Sequence, residues 1–350
     1  MFRTETELLH WALNASDPEA LRDAAAKASP VADKTLEESR RDVREALEHL
    51  AVPPVAELIT AAAEALRAAE SFAPRLEALQ ALQALAEPVD AANDLEGLGG
   101  VAALEGVLVG EVARAAADRT TDEELSQSAA LFAAAAHALG TACANNRPFQ
   151  DALLERFAPS LGACLDVAGG GVAAQFDGGE ARAKALYALG ACAREHEAAI
   201  ASLLRAGLAE ALGEALHVQR GGTHAARRKA LALIADLARF APALWREMAP
   251  REARAAAIVA AAGAAAPATC EDTDLATRAA EAAGALARAE DVGGAQMRAL
   301  LGDSYASVLG VMRTVAACQP AHGADDDVLI DMRAAAIEAL EALGGGGDAS

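Results

Sequence analysis

Aromatic residues are nearly missing from this chain: seven Phe, two Tyr and two Trp, 3% of 350 residues. The strand-forming types Val, Ile, Thr and Tyr are thin throughout, which speaks against a sheet. Catalytic signatures are missing as well. There is no HExxH, no Walker sequence and no nucleophile elbow. Positive charge is short: the formal net charge is -21, and the basic residues are nearly all Arg. Such a chain repels phosphate backbones and anionic membrane surfaces, so neither nucleic acid nor a membrane is the expected partner. The most apolar stretch, Ala253 to Ala268, contains Arg254 and Gly263, ends at Pro267 and is too short to span a bilayer. Met1 to His10 carries Glu5 and Glu7 and no apolar core, unlike a secretory signal. Five cysteines, an odd number with no CxxC pair, read as reduced thiols, with Cys143, Cys164 and Cys192 inside apolar helical patterns. Together these features predict a cytoplasmic protein, or one shared between cytoplasm and nucleus.

What the chain has is alanine. Hydrophobic residues reach 53%, most of them Ala, the strongest helix former and one that lets helices pack closely. The composition predicts an all-α fold. One design then recurs: an Ala/Leu-rich helix, a polar turn and a second apolar helix. Anchored on Leu82, Leu139, Leu189, Ile234 and Gly284, the steps are 57, 50, 45 and 50 residues. Armadillo and HEAT repeats run about 40–47 residues. The excess falls in loops near Gly110, Ala168, Val218 and Ala265, where added length costs little. Local signals agree: Thr121 and Glu124 have capping-box spacing, and Gly207 reads as a helix end. Ala185, Leu186, Leu189 and Cys192 or Ala193 keep three/four spacing.

These readings predict an armadillo/HEAT-like α-solenoid, a right-handed superhelix of four to five repeats over residues 70–343. Residues 1–30 form a separate short module, 31–69 a linker with capping helices, and 344–350 a flexible tail. Such a solenoid offers a concave ridge made by one helix per repeat, which is a binding surface. Nothing argues for an enzyme, a cofactor or a metal. "GLGGVAALEG" from Gly97 follows a helix, not a strand, and so is a poor dinucleotide fingerprint. His137 lies in an apolar run and reads as core. "ADDD" at Ala324 lacks calcium-loop spacing. Polar residues recur where the ridge helix ends: Asn93 and Asp94, Asn145 and Asn146, Arg194, Glu195 and His196, then Arg239. They either cap helices and bridge repeats, or line a groove that contacts a partner.

Five stretches, in order, resemble one family. "LLHWALNASDP" from Leu8 resembles the N-terminal signature of the Fes-type nucleotide exchange factors, which include the heat-shock-protein-70-binding protein. "TLEESRRDVREALEHL" from Thr35 resembles the linker helix of plant members. "VDAANDLEGLGGVAAL" from Val89 and "GTACANN" from Gly140 resemble successive repeats. "RAKALYALGACAREHEAAI" from Arg182 resembles the motif of a basic residue before Ala-Leu-Tyr/Phe-Ala with a basic, polar helix end. The resemblance runs from about residue 6 to 240 and fades beyond about 250.

The resemblance implies an armadillo-like co-chaperone, a monomer without cofactor. It would bind the nucleotide-binding domain of a DnaK-type heat-shock-protein-70 chaperone and speed ADP release. It also implies a role for Leu8, Leu9, His10, Trp11 and Leu13: residues 6–25 would act as a release element competing for the chaperone's substrate-binding domain. Read from the residues alone, the same segment suits somewhat better a helix folded back to cap the solenoid with Trp11 buried. The competing function is an armadillo scaffold for an extended peptide. That role usually shows a ladder of Trp and Asn, and here Trp245 stands alone.

Overall fold

The computed structural model describes residues 54–117, 121–171, 176, 179–217, 223–265, 273–318 and 326–344, all within one compact unit, Pro54–Ser350. Every regular element among them is helical. A pair opens the unit: α1 (Val55–Ala68) and α2 (Phe72–Leu85). Five triplets follow. The first is α3 (Val89–Gly97), α4 (Gly100–Ala115) and α5 (Asp122–Cys143); the second is α6 (Arg147–Arg156), α7 (Ala158–Ala168) and α8 (Glu180–Ala193). The third is α9 (Glu197–Arg205), α10 (Leu208–Leu216) and α11 (His224–Phe240). The fourth is α12 (Pro242–Met248), α13 (Arg251–Ala265) and α14 (Thr273–Glu290). The fifth is α15 (Gly294–Leu301), α16 (Tyr305–Ala316) and α17 (Asp326–Ala342), with a 3-10 turn at Gly302–Ser304. The all-α solenoid expected from composition is what the chain forms.

Third helices stack on third helices (α2, α5, α8, α11, α14, α17), and second helices stack on second helices. First helices are short and touch one another least. The anchors Leu82, Leu139, Leu189, Ile234 and Gly284 all fall on the third-helix ladder, and the four apolar side chains among them are fully buried. Small residues set the spacing there. A Cβ on Gly284 would stand 3.1 Å from the Cα of Ala339, and one on Gly140 would stand 3.1 Å from the Cα of Ala188. The third helices are the longest of each triplet and form a continuous, closely packed ladder, the one-helix-per-repeat arrangement from which solenoids build a binding ridge.

The connections obey the same register. The stretches read as loop insertions all fall between a second and a third helix, though the first, from Gly110, is helical as far as Ala115 and again from Asp122. The turn from a third helix to the next first helix is tight instead. Asn145, Glu195 and Asp291 adopt left-handed backbone there, at φ 55°, 54° and 52°. Thr121 forms the expected capping box with Glu124, though α5 starts at Asp122. Gly207, at φ 100°, separates α9 from α10.

Apolar burial is continuous along the stack, with Trp245, Phe132 and Ile59 among its largest fully buried side chains. Four charged residues are buried in it among the described residues: Glu111, Arg182, Arg227 and Glu290. Glu111 is 1% exposed, lies 2.7 Å from Arg75 and 3.3 Å from Arg114, and accepts from Ser128 Oγ at 2.8 Å. Three donors answer the carboxylate, as burial of an ion requires. Cys143, Cys164 and Cys192 are free and buried. Cys318, by contrast, is disulfide-bonded, which corrects the reading of all five cysteines as reduced. An odd count does not rule out a bridge, and sequence spacing gives no distance between remote thiols.

Candidate functional site: the inner ridge

A stripe of half-buried and exposed side chains runs across the third helices. On α5 they are Gln127, Ala134, His137 and Thr141; on α8, Lys184 and Tyr187; on α11, Arg228, Lys229, Ala232 and Asp236; on α14, Arg278 and Glu281. The three/four spacing that buries Ala185, Leu186 and Leu189 leaves Lys184 and Tyr187 on the opposite edge of α8.

At the centre of the stripe three helices meet around one ring. His137 and Tyr187 pack edge to face with centroids 5.5 Å apart. Lys229 Nζ stands 5.1 Å from the Tyr187 centroid, within cation–π range. Lys184 Nζ lies 3.2 Å from His137 Nδ1. An ammonium only donates, so Nδ1 accepts and the imidazole carries its proton on Nε2. Partial burial, then the charges of Lys184 and Lys229, hold His137 below the usual imidazole range. It is neutral at pH 7. Desolvation, then the charges of Lys184, Arg228, Arg278 and Arg194, pull Lys229 below the usual lysine range. Two of the chain's four lysines and one of its two tyrosines stand here, on a protein of net charge -21.

The stripe continues to either side. Arg228 pairs with Asp274 at 2.6 Å, and Arg278 with the same carboxylate at 3.1 Å. Arg194 reaches Asp236 at 3.6 Å. A shallow notch between α8 and α11 is lined by Gly190, Arg194, Leu233, Asp236 and Phe240. Phe240 is 46% exposed, unusual in a chain so poor in aromatics.

The residues singled out in the sequence divide into three groups. Asn146 and His196 occupy the same place in successive repeats, just before α6 and α9. Each caps the helix it precedes: Asn146 Oδ1 accepts from Phe149 N, and His196 Nδ1 accepts from Ala199 N, both at 3.3 Å. Both residues are 1% exposed, so they offer a partner almost no surface. Their polar neighbours tie α6 to α8 within its triplet and to the residue that caps α9 in the next. Gln150 Nε2 donates to Ala191 O at 2.8 Å, and His196 Nε2 faces Asp151 Oδ1 at 2.9 Å. Burial and the Arg147 charge hold His196 below the usual imidazole range, with Asp151 opposing.

Asn145, Arg194, Glu195 and Arg239 are exposed at the ends of α5, α8 and α11. They lie at the rim where the inner ridge meets the tight turns. Asn93 stands apart: it is exposed on α3, a first helix, and not at the end of a third helix. The reading of Asn93 and Asp94 as a ridge-helix end is corrected, because the preceding third-type helix, α2, ends at Leu85. Trp245 is fully buried on α12 and offers no ladder. Leu8, Leu9, His10, Trp11 and Leu13 lie outside the described residues.

The sequence reading missed Lys184, Tyr187, Lys229 and Arg278, and it placed His137 in the core. The signal that finds them is the residue one or two positions off each buried triplet of the third helices. Gly140 is a second signal, since it faces the Tyr187 ring. Among the described residues no group of His, Cys, Asp and Glu could hold a metal ion, and no helix is long and apolar enough to cross a membrane.

Residues 6–95 match a protein-family model described as "Nucleotide exchange factor Fes1". The matched stretch ends within α3, so the resemblances at Gly140 and Arg182 lie beyond it. No curated protein sequence matches the chain significantly. Among solved structures, an engineered protein from a structural genomics consortium aligns at TM-score 0.57 and 17% identity, over 82% of this chain and 99% of its own. A designed armadillo repeat protein aligns at TM-score 0.54 and 17% identity, over 81% and 99%. Another, solved in complex with the peptide (KR)4, aligns at 0.56 and 18%, over 81% and 99%. Identities this low carry the fold alone. The chain therefore joins a stretch similar to the Fes1 nucleotide exchange factors to an armadillo-like all-α solenoid.

Proposed function

We propose that the protein is an adenyl-nucleotide exchange factor for a heat-shock-protein-70 chaperone, holding the chaperone's nucleotide-binding domain against the inner ridge. The observation that carries this reading is the Fes1 match over residues 6–95, in a chain that continues as a solenoid with a charged and aromatic inner face. Exchange needs no catalytic residue here. The solenoid has to bind the chaperone conformation that releases ADP better than the closed one, and ADP then weakens the complex by the same factor. The exposed rim residues Asn145, Arg194, Glu195 and Arg239 extend the contact surface; Asn146 and His196 hold the rim in shape. Residues 6–25, with Leu8, Leu9, His10, Trp11 and Leu13, act on the chaperone's substrate-binding domain and favour substrate release. The factor works as a monomer.

Cytoplasmic residence belongs to the same reading. The Cys318 disulfide weighs against it, because such bonds persist mainly in oxidising compartments. Cell fractionation decides between the two.

The second reading is a scaffold for an extended peptide. The structural neighbour in complex with (KR)4 is a designed armadillo protein holding a cationic peptide. A ridge centred on Lys184 and Lys229 repels such a ligand. The deciding experiment measures release of fluorescent ADP from a heat-shock-protein-70 nucleotide-binding domain with and without this protein. Acceleration that survives removal of residues 1–30 supports exchange by the solenoid. No acceleration by the folded protein sinks it and favours the scaffold.

A further inference from the structure

Lys184 and Lys229 stand against the charge logic of the rest of the molecule. The chain holds 51 acidic residues against 30 basic ones. The arginines around the two lysines are paired, Arg194 with Asp236 and Arg228 and Arg278 with Asp274. The lysines are not: among the described residues neither forms an ion pair. Lys184 meets a neutral imidazole and Lys229 a tyrosine ring. Both are held on rigid third helices rather than on loops. Bringing like charges to one packed His137–Tyr187 pair costs free energy in the isolated protein. Binding and catalytic sites are where like-charge groups are brought together in this way.

We propose that Lys184, Lys229, His137 and Tyr187 form a carboxylate-reading site, and that its occupant is an acidic patch on a folded protein, Asp or Glu side chains seated between the two ammonium groups. Resting on the exchange reading above, this places an acidic surface of the chaperone's nucleotide-binding domain against α5, α8 and α11. The chemistry is complementary. Two fixed cations flank an aromatic face, with the His137 Nε2–H as a third donor. An arriving carboxylate relieves the repulsion between the lysines while making its own contacts, so the gain is concentrated in these few side chains. The negative charge carried elsewhere on the chain then discourages acidic ligands from settling anywhere else.

The test uses the full chain in two arms. In the first, all lysines are converted to 13C-dimethyl-lysine, which keeps their charge; the chain has only four, Lys27, Lys34, Lys184 and Lys229. Hexaglutamate is the probe. Movement of the Lys184 and Lys229 signals, without movement of the other two, supports the site. Equal movement of all four, or none, overturns it. In the second arm, Lys184→Gln/Lys229→Gln is compared with the native protein for binding to the nucleotide-binding domain at about 0.05 and 0.3 M salt. The proposal expects roughly tenfold weaker binding at low salt and a flattened salt dependence, with the melting temperature unchanged or raised because repulsion is removed. Unchanged affinity with unchanged salt dependence overturns it. If the native protein does not bind the domain at all, the exchange reading fails and the hexaglutamate arm decides the carboxylate site alone.

Discussion

Gly140 on α5 faces the ring of Tyr187 on α8 with no room for a methyl group between them. A Cβ at Gly140 would lie 2.6 Å from both Cδ1 and Cε1 of that ring. The smallest residue in one repeat thus sets where the largest ridge side chain of the next repeat stands. Gly140→Ala gains about 1 kcal/mol of helix propensity and loses about 1–3 kcal/mol to overpacking. The backbone of Ala188, 3.1 Å away, closes the other escape. We expect a net loss, read as a lower urea midpoint, and partial recovery when Tyr187→Ala is added. A midpoint above the native value would show that the ring swings aside freely.

The two helix-capping residues of successive repeats give a matched pair. Asn146→Ala and His196→Ala should each cost about 1 kcal/mol, the usual value of a lost cap. His196→Asn should keep most of the cap, since an Asn side chain occupies the same place before α6. Equal losses for His196→Asn and His196→Ala would place the value of His196 in its contact with Asp151 instead.

His196 also predicts the direction of a pH effect. Its imidazole is held below the ordinary range in the folded chain, so between the folded and unfolded values the unfolded chain binds more protons. Stability then rises with pH through that window. The contribution is complete above about pH 6.5 and is lost as pH falls toward the folded value. His137, lowered for similar reasons, adds in the same sense. Urea midpoints taken from pH 7.5 down to about 5.5 should fall, and the fall should shrink in His137→Gln/His196→Asn. A midpoint rising over that range would reverse the assigned charge states.

Two glycines at α10 should respond oppositely to alanine. Gly213 lies inside the helix, and a Cβ there would meet nothing within 4 Å, so Gly213→Ala should stabilise by up to about 1 kcal/mol. Gly207 sits at φ 100° in the turn before α10, and Gly207→Ala should destabilise by about 1 kcal/mol or more. Thermal melts of the two variants side by side decide it.

The buried thiols should be silent in the native protein. Burial pushes Cys164 up to about 12, and the neighbouring Cys192 adds to the shift. The hydrogen bond to Cys192, then burial, pushes Cys143 up strongly. Alkylation at pH 8 should therefore leave Cys143, Cys164 and Cys192 unmodified until the chain is unfolded. Rapid native labelling at any of them, located by mass spectrometry, would show that the inner layer opens.

The repeat was legible because helices of this kind advertise themselves twice, in composition and in spacing. Leu82, Leu139, Leu189, Ile234 and Gly284 could be chosen without coordinates because a buried ladder must recur at one place per repeat. The residues between helices were legible as important but ambiguous. Asn146 and His196 use one chemistry for capping and for recognition, and only burial tells the two apart. The central cluster was harder to see. His137 sits in an alanine-rich run whose neighbours are buried, so its own half-open position depends on the packing of α8 against α5. Lys184 and Lys229 are 45 residues apart, and no local pattern announces that they meet at the His137–Tyr187 pair. Asn93 misled because its Asn-Asp pair imitates a helix end while lying inside α3.

Each triplet of helices packs chiefly against the triplets beside it, and this has a mechanical consequence. Among the described residues the stack is held mainly by contacts between neighbours, so its melting is a matter of where a boundary starts and how far it travels. A boundary entering at α17 must cross α14 before it reaches α11 and the Tyr187 ring. The last two repeats then serve as a buffer whose fraying leaves the centre intact, and amide exchange should slow stepwise from that end inward.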